Sequence, residues 1–230
     1  MFVLAAVKPL EWENHFFARN SAQLDFSVPQ SLSETQLAQY DLLQARVPSH
    51  QTAKIDALSA IGFRLVEGEA DFSLTIQATQ RQPGIRIARV EHIDALRAAA
   101  SQLFAQSRFR APWYPSDASG RFYAQWIENA VRGTFDHQCL LAVDEQGALE
   151  GFVSLRELGE GAARIGLLAR LPHASGRGVG QRLMHAATDW CQVRRISRLH
   201  VATQLSNLAA MRLYLACGAQ LDSTAYWLYR

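Results

Sequence analysis

Gly176, Gly178 and Gly180, in the stretch ARIGLLARLPHASGRGVGQRLMHAATDWC, stand between an apolar segment and a run of helical periodicity. Glycine lets backbone N–H groups come close to a ligand, and the first turn of a helix adds its positive end, so this junction suits a pyrophosphate. An ordinary turn is the competing reading, because the same glycine spacing occurs in turns that bind nothing. The flanks narrow the chemistry. No Lys-Ser or Lys-Thr follows the glycines, as a nucleoside-triphosphate loop would need, and no acidic residue sits at the spacing of a dinucleotide ribose clamp. Val179, Leu183, Ala187 and Trp190 then recur at helical spacing, with Gln181, Arg182, His185 and Asp189 on the other side, so the glycines open a helix.

The elements around this junction complete a constellation. LHVATQ, residues 199 to 204, reads as a strand. Ser206 and Asn207 can cap a helix, AAMRLYLAC continues it to a stop at Gly218, and LDSTAYWLYR alternates as a final strand. In this order, strand, glycine loop, helix, strand, Asn207, a short helix carrying Tyr214, Gly218 and a last strand resemble the acetyl-CoA-binding half of the Gcn5-related N-acetyltransferase superfamily. The resemblance implies an α/β (α+β) fold, a mixed and mostly antiparallel sheet flanked by helices and splayed where two parallel strands part to admit pantetheine. It also implies that Ala174, Ser175, Gly176, Arg177, Gly178, Val179 and Gly180 meet the pyrophosphate, with Ser175 standing where the family pattern has Gln or Arg. The backbone of Leu167 and Leu168 would lie beside the pantetheine and the thioester, Asn207 would join the cofactor site, and Tyr214 would stand near the sulfur as general acid. Without the motif, Tyr214 reads as an amphipathic helix residue that packs its ring.

Longer segments carry a finer resemblance. AQSRFRAPWYPSDASGRFYAQWIENAVRGTFDHQC, SLREL, ARIGLLA, VATQ, STAYWLYR and LEWENHFF are similar to the branch of the superfamily that acetylates a nucleotide sugar in enterobacterial common antigen synthesis. The implied reaction moves acetyl from acetyl-CoA, as co-substrate and without a metal, to the 4-amino group of dTDP-4-amino-4,6-dideoxy-D-galactose. In the same branch a V-E-G-E stretch lies close to the active site, which makes Glu67 the expected general base, with Glu69 and Asp71 as alternatives and a solvated strand face as the plain reading. A homodimer is the family-level expectation. Two other readings stay open: a protein or peptide amine acetyltransferase of this fold, and a non-catalytic acyl-CoA-binding regulator.

The acceptor should be met by SRFRAPWYPSDASGRFYAQW, where Arg108, Arg110 and Arg121 are interleaved with Phe109, Trp113, Tyr114, Phe122 and Tyr123. Guanidinium groups suit a diphosphate and aromatic faces suit thymine or a sugar edge; a packed loop with solvated arginines is the alternative. Trp12, Asn14 and Phe16 either join that wall or serve as core and turn residues.

Composition excludes more than it selects. A chain of 230 residues with net charge +2 and 19% charged residues is not built to hold a nucleic-acid backbone. Lys8 and Glu11 interrupt the apolar start, so it reads as neither signal peptide nor membrane span, and the chain is expected in the cytoplasm. Cys139, Cys191 and Cys217 lack C-x-x-C spacing and read as buried free thiols. No histidine pair has metal-ligand spacing.

RQPG, residues 81 to 84, divides the chain into an N-terminal α/β domain, 1–82, and an acetyl-CoA-binding domain, 83–230. LQARVPSHQTAKIDALSAIGF, Leu43 to Phe63, aligns without gaps with LHVATQLSNLAAMRLYLACGA, Leu199 to Ala219, and Leu58 stands where the second copy has Tyr214. The N-terminal domain therefore reads as a degenerate partial repeat that covers the acceptor side. Between break and motif, a helix from about Glu91 to Ala105 and strands CLLAV and GFVSLREL around the DEQG turn lead into the ARIGLLA strand as an antiparallel meander.

Overall fold

A computed structural model describes residues 3–78, 81–104 and 106–230. In chain order the elements are β1 (Ala6–Pro9), α1 (Glu11–Phe17), β2 (Ser21–Asp25), α2 (Glu34–Leu37), β3 (Leu42–Pro48), α3 (Thr52–Ala60), β4 (Arg64–Thr75), β5 (Ile85–Ile87), α4 (Ile93–Leu103), α5 (Ala118–Arg132), β6 (Gln138–Val143), β7 (Leu149–Gly159), β8 (Ala162–Arg170), α6 (Val179–Val193), β9 (Arg198–Gln204), α7 (Leu208–Ala216) and β10 (Gln220–Tyr229). The strands form one sheet in the order β1-β2-β3-β10-β4-β9-β8-β7-β6-β5. Among the described residues only β2 with β3 and β8 with β9 run parallel, so the mixed, mostly antiparallel sheet matches the expectation.

The helices form where the sequence has an apolar stripe to bury. α6 buries Val179, Leu183, Ala187 and Trp190, the stripe read from the sequence, and packs with Tyr214 of α7 over Phe72, Val153 and Leu155. α5 buries Phe122, Tyr123, Ile127 and Ala130 and ends at Gly133, whose φ of 70° supplies the left-handed turn that closes a helix. Together with Leu96 and Ala100 of α4 it covers Leu141, Phe152 and Tyr229. The expected helix from Glu91 starts as a short 3-10 turn and continues as α4 to Leu103; its other expected end, Ala105, lies outside the described residues.

The internal repeat is carried by the backbone as well as by the letters. β3, α3 and β4 begin at Leu42, Thr52 and Arg64, and at the same offset β9, α7 and β10 begin at Arg198, Leu208 and Gln220. Gly62 and Gly218, equivalent under that offset, have φ of 93° and 87°. β4 pairs antiparallel with β9 through Glu69 and Gln204, and β10 pairs with β3 through the equivalent residues Ala225 and Pro48. Between them β10 pairs with β4 so that Ala225 faces Glu69, its own equivalent. A local twofold axis therefore runs between these two residues, and each copy inserts its last strand beside the other's first. Residues 1–82 and 83–230 thus share one sheet through β4 and β10, while a separate apolar cluster, including Val47, Leu58 and Phe63, sits under the N-terminal copy.

That cluster should be worth measuring for stability alone. Leu58 has no exposed surface, so Leu58→Ala should cost about 2–5 kcal/mol in urea unfolding. A loss below about 1 kcal/mol would show that the first copy does not depend on its own core.

A cavity in the parted strands

β8 and β9 pair only at Ala162–Arg198, Ala163–Leu199 and Arg164–His200, and then separate. The gap opens into a cavity of about 840 Å³ that runs from the glycine loop, past Tyr214, to β4 and α5. Strand β8 reaches it through a bulge. Leu155 faces Ile165 but Val153 faces Leu168, so two residues, Gly166 and Leu167, oppose Ser154. The extra residue switches faces: Ala163 and Ile165 pack under α6, whereas Leu167 and Ala169 pack under α5. The N–H of Leu171 donates to the Glu150 carbonyl at 2.8 Å. Counting back along the antiparallel ladder, Leu168 and Arg170 point their backbone N–H groups away from β7 and into the gap.

At one end of the cavity lie Gly176 and Gly178, with φ of 77° and 70°. A Cβ on either would project into space with no atom within 4 Å, so these glycines supply left-handed backbone and an open approach. Gly178 caps α6, whose first turn presents N–H groups with no partner inside the helix. A diphosphate fits this cradle by charge and by room. Gly180 serves packing instead, because a Cβ there would press on Leu213 Cδ2 at 3.0 Å.

Of the residues expected at the cofactor, Leu167, Leu168, Gly176, Gly178, Val179, Gly180 and Asn207 line the cavity. Asn207 also caps α7, accepting the Ala210 N–H at 3.2 Å and donating to Thr203 Oγ1 at 3.1 Å. Ala174 is fully buried behind the loop and Ser175 is exposed beside it. Arg177 is turned away: its guanidinium donates to Glu150 Oε1 at 3.2 Å, while Arg182 donates to Glu150 Oε2 at 2.6 Å. Glu150 therefore ties the loop and the start of α6 to β7.

The Arg182 hydrogen bond, aided by Arg177, holds the Glu150 carboxyl below its ordinary value. A carboxylate whose folded pKa is depressed stabilises the fold above its unfolded pKa, and that contribution is lost as pH falls through the folded value. Glu150→Gln should accordingly be less stable than the parent at neutral pH, with the difference shrinking in acid. It should also weaken, several-fold by titration calorimetry, the binding of the acetyl-CoA that the sequence resemblance leads one to expect at this loop, because the loop loses its tether. A stability difference that is the same at pH 7 and pH 3 would count against this assignment.

Tyr214, on α7, lines the cavity with its ring edge-on to Phe72 at 5.6 Å. Burial alone pushes its phenol well above the ordinary tyrosine value, so it keeps its proton. Glu67 and Glu69 on β4 face the same space. They differ in what holds them. Glu69 accepts from Arg46 Nε at 2.7 Å and from Trp227 Nε1 at 3.0 Å, whereas Glu67 accepts the adjacent Gly68 N–H at 2.9 Å. Asp71, bonded to Arg46 and Ser223, is not among the lining residues.

The expected acceptor residues divide: Arg108, Phe109, Phe122 and Tyr123 line the cavity, and Arg110, Trp113, Tyr114 and Arg121 do not. Arg108 lines the cavity, but its guanidinium is committed to Gln44 at 2.5 Å, Tyr229 Oη at 2.6 Å and Glu13 at 3.1 Å. Tyr114 is buried against Phe17 and Phe109 and its hydroxyl accepts from Gln44 at 3.0 Å. Trp113 packs edge-on to Tyr229, and the Arg110 guanidinium donates to the Val66 carbonyl at 2.7 Å. Arg121 pairs with Asp117 on the outer side of α5 because one residue along a helix is about 100° of rotation from inward-facing Phe122. The aromatic wall that does face the cavity is Phe104, Phe109, Phe122, Tyr123, Trp126 and Trp227. Phe109, Phe122 and Tyr123 of this wall belong to the expected acceptor segment; helical periodicity across 118–132 was the signal that would have added Trp126. Trp12 is half-exposed, stacked on Phe16 and edge-on to Phe122, and Asn14, within α1, is bonded through its side chain to the Ser21 backbone.

The three cysteines are free, and none is among the residues lining the cavity. Burial pushes the Cys191 thiol up to about 12 and raises Cys139 and Cys217 as well. Among the described residues no group of three or more His, Cys, Asp or Glu could hold a metal ion, and no helix is long and apolar enough to cross a membrane.

Comparison with known proteins bears on the same elements. Residues 100–219 match the Acetyltransferase (GNAT) family. The chain is 51% identical to a dTDP-fucosamine acetyltransferase of Escherichia coli O6:H1 (strain CFT073), over 100% of both chains. A GCN5-related N-acetyltransferase structure from Sphaerobacter thermophilus superimposes with a TM-score of 0.67 at 16% identity, covering 99% of this chain and 76% of that one. A tandem GNAT protein from the clavulanic acid biosynthesis pathway gives 0.60 at 15% identity, covering 91% and 74%. At these identities the two structures speak for the fold alone.

Proposed function

The chain belongs to the GNAT acetyltransferase family, and from that premise we propose that it transfers acetyl from acetyl-CoA to the 4-amino group of dTDP-4-amino-4,6-dideoxy-D-galactose, in the cytoplasm and in enterobacterial common antigen synthesis. The observation that carries the acceptor is the 51% identity to a dTDP-fucosamine acetyltransferase across the full length of both chains. Acetyl-CoA supplies an activated acyl group; the chain's own residues hold it, polarise it and move two protons.

The open cradle of Gly176, Gly178 and the first turn of α6 takes the pyrophosphate. The parted edges of β8 and β9 flank the pantetheine, and the Leu168 N–H, directed into the gap, donates to the thioester carbonyl as charge develops on its oxygen. Glu67 accepts the proton of the attacking amine. Glu69 is the poorer candidate because its two oxygens are already engaged, Oε1 by Arg46 and Oε2 by Trp227. Tyr214 gives its proton to the departing thiolate. Transfer is direct: no cysteine faces the cavity, and the thiols are held protonated by burial. The aromatic wall of Phe104, Tyr123, Trp126 and Trp227 receives the sugar nucleotide, with residues 1–82 contributing Glu67 through β4.

The test mixes purified protein with acetyl-CoA and the dTDP-linked amino sugar, follows thiol release, and identifies the acetylated sugar nucleotide by mass spectrometry. Turnover on peptide amines with none on the sugar nucleotide overturns the acceptor. Acetyl-CoA binding with no turnover on any amine leaves a binding protein rather than an enzyme.

A further inference from the structure

Asp136 is 1% exposed, lies outside the reacting groups named above, and is only partly satisfied. Its Oδ2 accepts from Trp126 Nε1 at 2.8 Å and from Ser154 Oγ at 2.5 Å, while Oδ1 has no hydrogen-bond partner among the described residues. Burying a carboxylate with one oxygen unsatisfied is costly, and an apolar side chain would serve packing better. The sequence around it gives way to it as well. A Cβ at Gly166 would lie 2.2 Å from Asp136 Oδ2 and 2.8 Å from Ser154 Oγ, so only glycine fits beside this pair.

What Asp136 holds is the bulge. Ser154 is fully buried, and having given its hydroxyl proton to Asp136 it can only accept; the N–H it accepts, at 2.9 Å, is that of Leu167. Leu167 is the residue at which β8 changes faces, and the next residue is Leu168, whose N–H points into the gap. We infer that Asp136 is a positioning residue for acetyl transfer: through Ser154 it locks the Gly166–Leu167 bulge and so aims the Leu168 N–H at the thioester carbonyl. The same Oδ2 pins the indole of Trp126 on the acceptor wall, so one carboxylate sets the donor to the carbonyl and the wall opposite. This rests on the proposed binding of acetyl-CoA in the gap, but not on the identity of the acceptor.

The experiment therefore uses acetyl-CoA labelled with carbon-13 at the thioester carbonyl, with no acceptor present. In the parent the bound carbonyl resonance should move downfield of free acetyl-CoA, as a donated hydrogen bond requires. Ser154→Ala removes one buried atom and should return at least half of that shift, with acetyl-CoA affinity within about threefold. Asp136→Ala should behave alike, and the double variant should be no worse than either single, because both act through one path. Asp136→Asn keeps a carbonyl oxygen for Ser154 and Trp126 and should restore the shift. With an acceptor, kcat of Ser154→Ala should fall about tenfold or more, since a full oxyanion donor is worth about 10²–10³ and here the donor is mis-aimed rather than deleted. A parent-like carbonyl shift and kcat in Ser154→Ala overturns the relay by itself. Failure of the parent to bind acetyl-CoA overturns the cofactor site and the relay with it.

Discussion

Tyr214→Phe lowers kcat by about 10²–10³ while the acetyl-CoA dissociation constant stays within about twofold. The change removes one oxygen from a ring that is 4% exposed and packed on Phe72, so the ring contact and the helix survive. What is lost is the proton, and a positioned general acid contributes about 10²–10⁴ in rate. Burial holds the phenol well above the ordinary tyrosine value of about 10, so it arrives protonated, and the same burial makes a thiolate formed beside it a stronger base to receive the proton. The phenol stays protonated through the working range and gives up its proton only when a thiolate, a stronger base than water, forms beside it. Activity of the parent should accordingly persist to alkaline pH where an exposed tyrosine would have ionised. Steady-state kinetics against binding by titration separates the two quantities. A variant within about threefold of the parent in kcat would remove Tyr214 from the chemistry and leave it as a packing residue.

How far the sequence foretold this arrangement depends on whether the information is local. The glycine loop, the stripe of α6 and the cap at Asn207 are set by residues within a turn or two of each other, and they stand where the letters put them. The repeat was also legible, because two copies must carry the same strand, helix and glycine. What could not be read is that each copy lends a strand to the other: the facing of Ala225 and Glu69 is a pairing between distant segments. On the acceptor side the aromatic residues Phe109, Phe122 and Tyr123 do line the cavity, but the arginines do not stand free there, for a different reason. Arg121 and Phe122 are neighbours in the chain, and a basic aromatic cluster looks like one surface until the helix separates them. Arg108 is the converse case, a cation in that cluster whose donors are taken by Glu13, Gln44 and Tyr229 from three other elements.

The same nonlocal information decides between the two carboxylates on β4, and here the expected result is large. Glu67→Gln should lower kcat/KM by about 10² or more at neutral pH, because the acceptor amine is then mostly an ammonium and has lost its proton acceptor. The deficit should narrow as pH rises, since a growing share of the amine arrives already deprotonated; only loss of a base gives that slope. Glu69→Gln should behave otherwise. It breaks the ion pair with Arg46 and loosens Trp227, so it should lower thermal stability and raise KM for the sugar nucleotide, with a deficit that does not narrow at high pH. Residue type and spacing alone left these two equivalent, two positions apart on one strand face, and only the V-E-G-E resemblance favoured Glu67. Their partners separate them: Arg46 comes from β3, inside the N-terminal copy, and it engages the carboxylate nearest the local twofold while leaving the other to receive a proton. If Glu69→Gln shows the pH-dependent loss and Glu67→Gln does not, the roles are reversed and Arg46 must release its partner during the reaction.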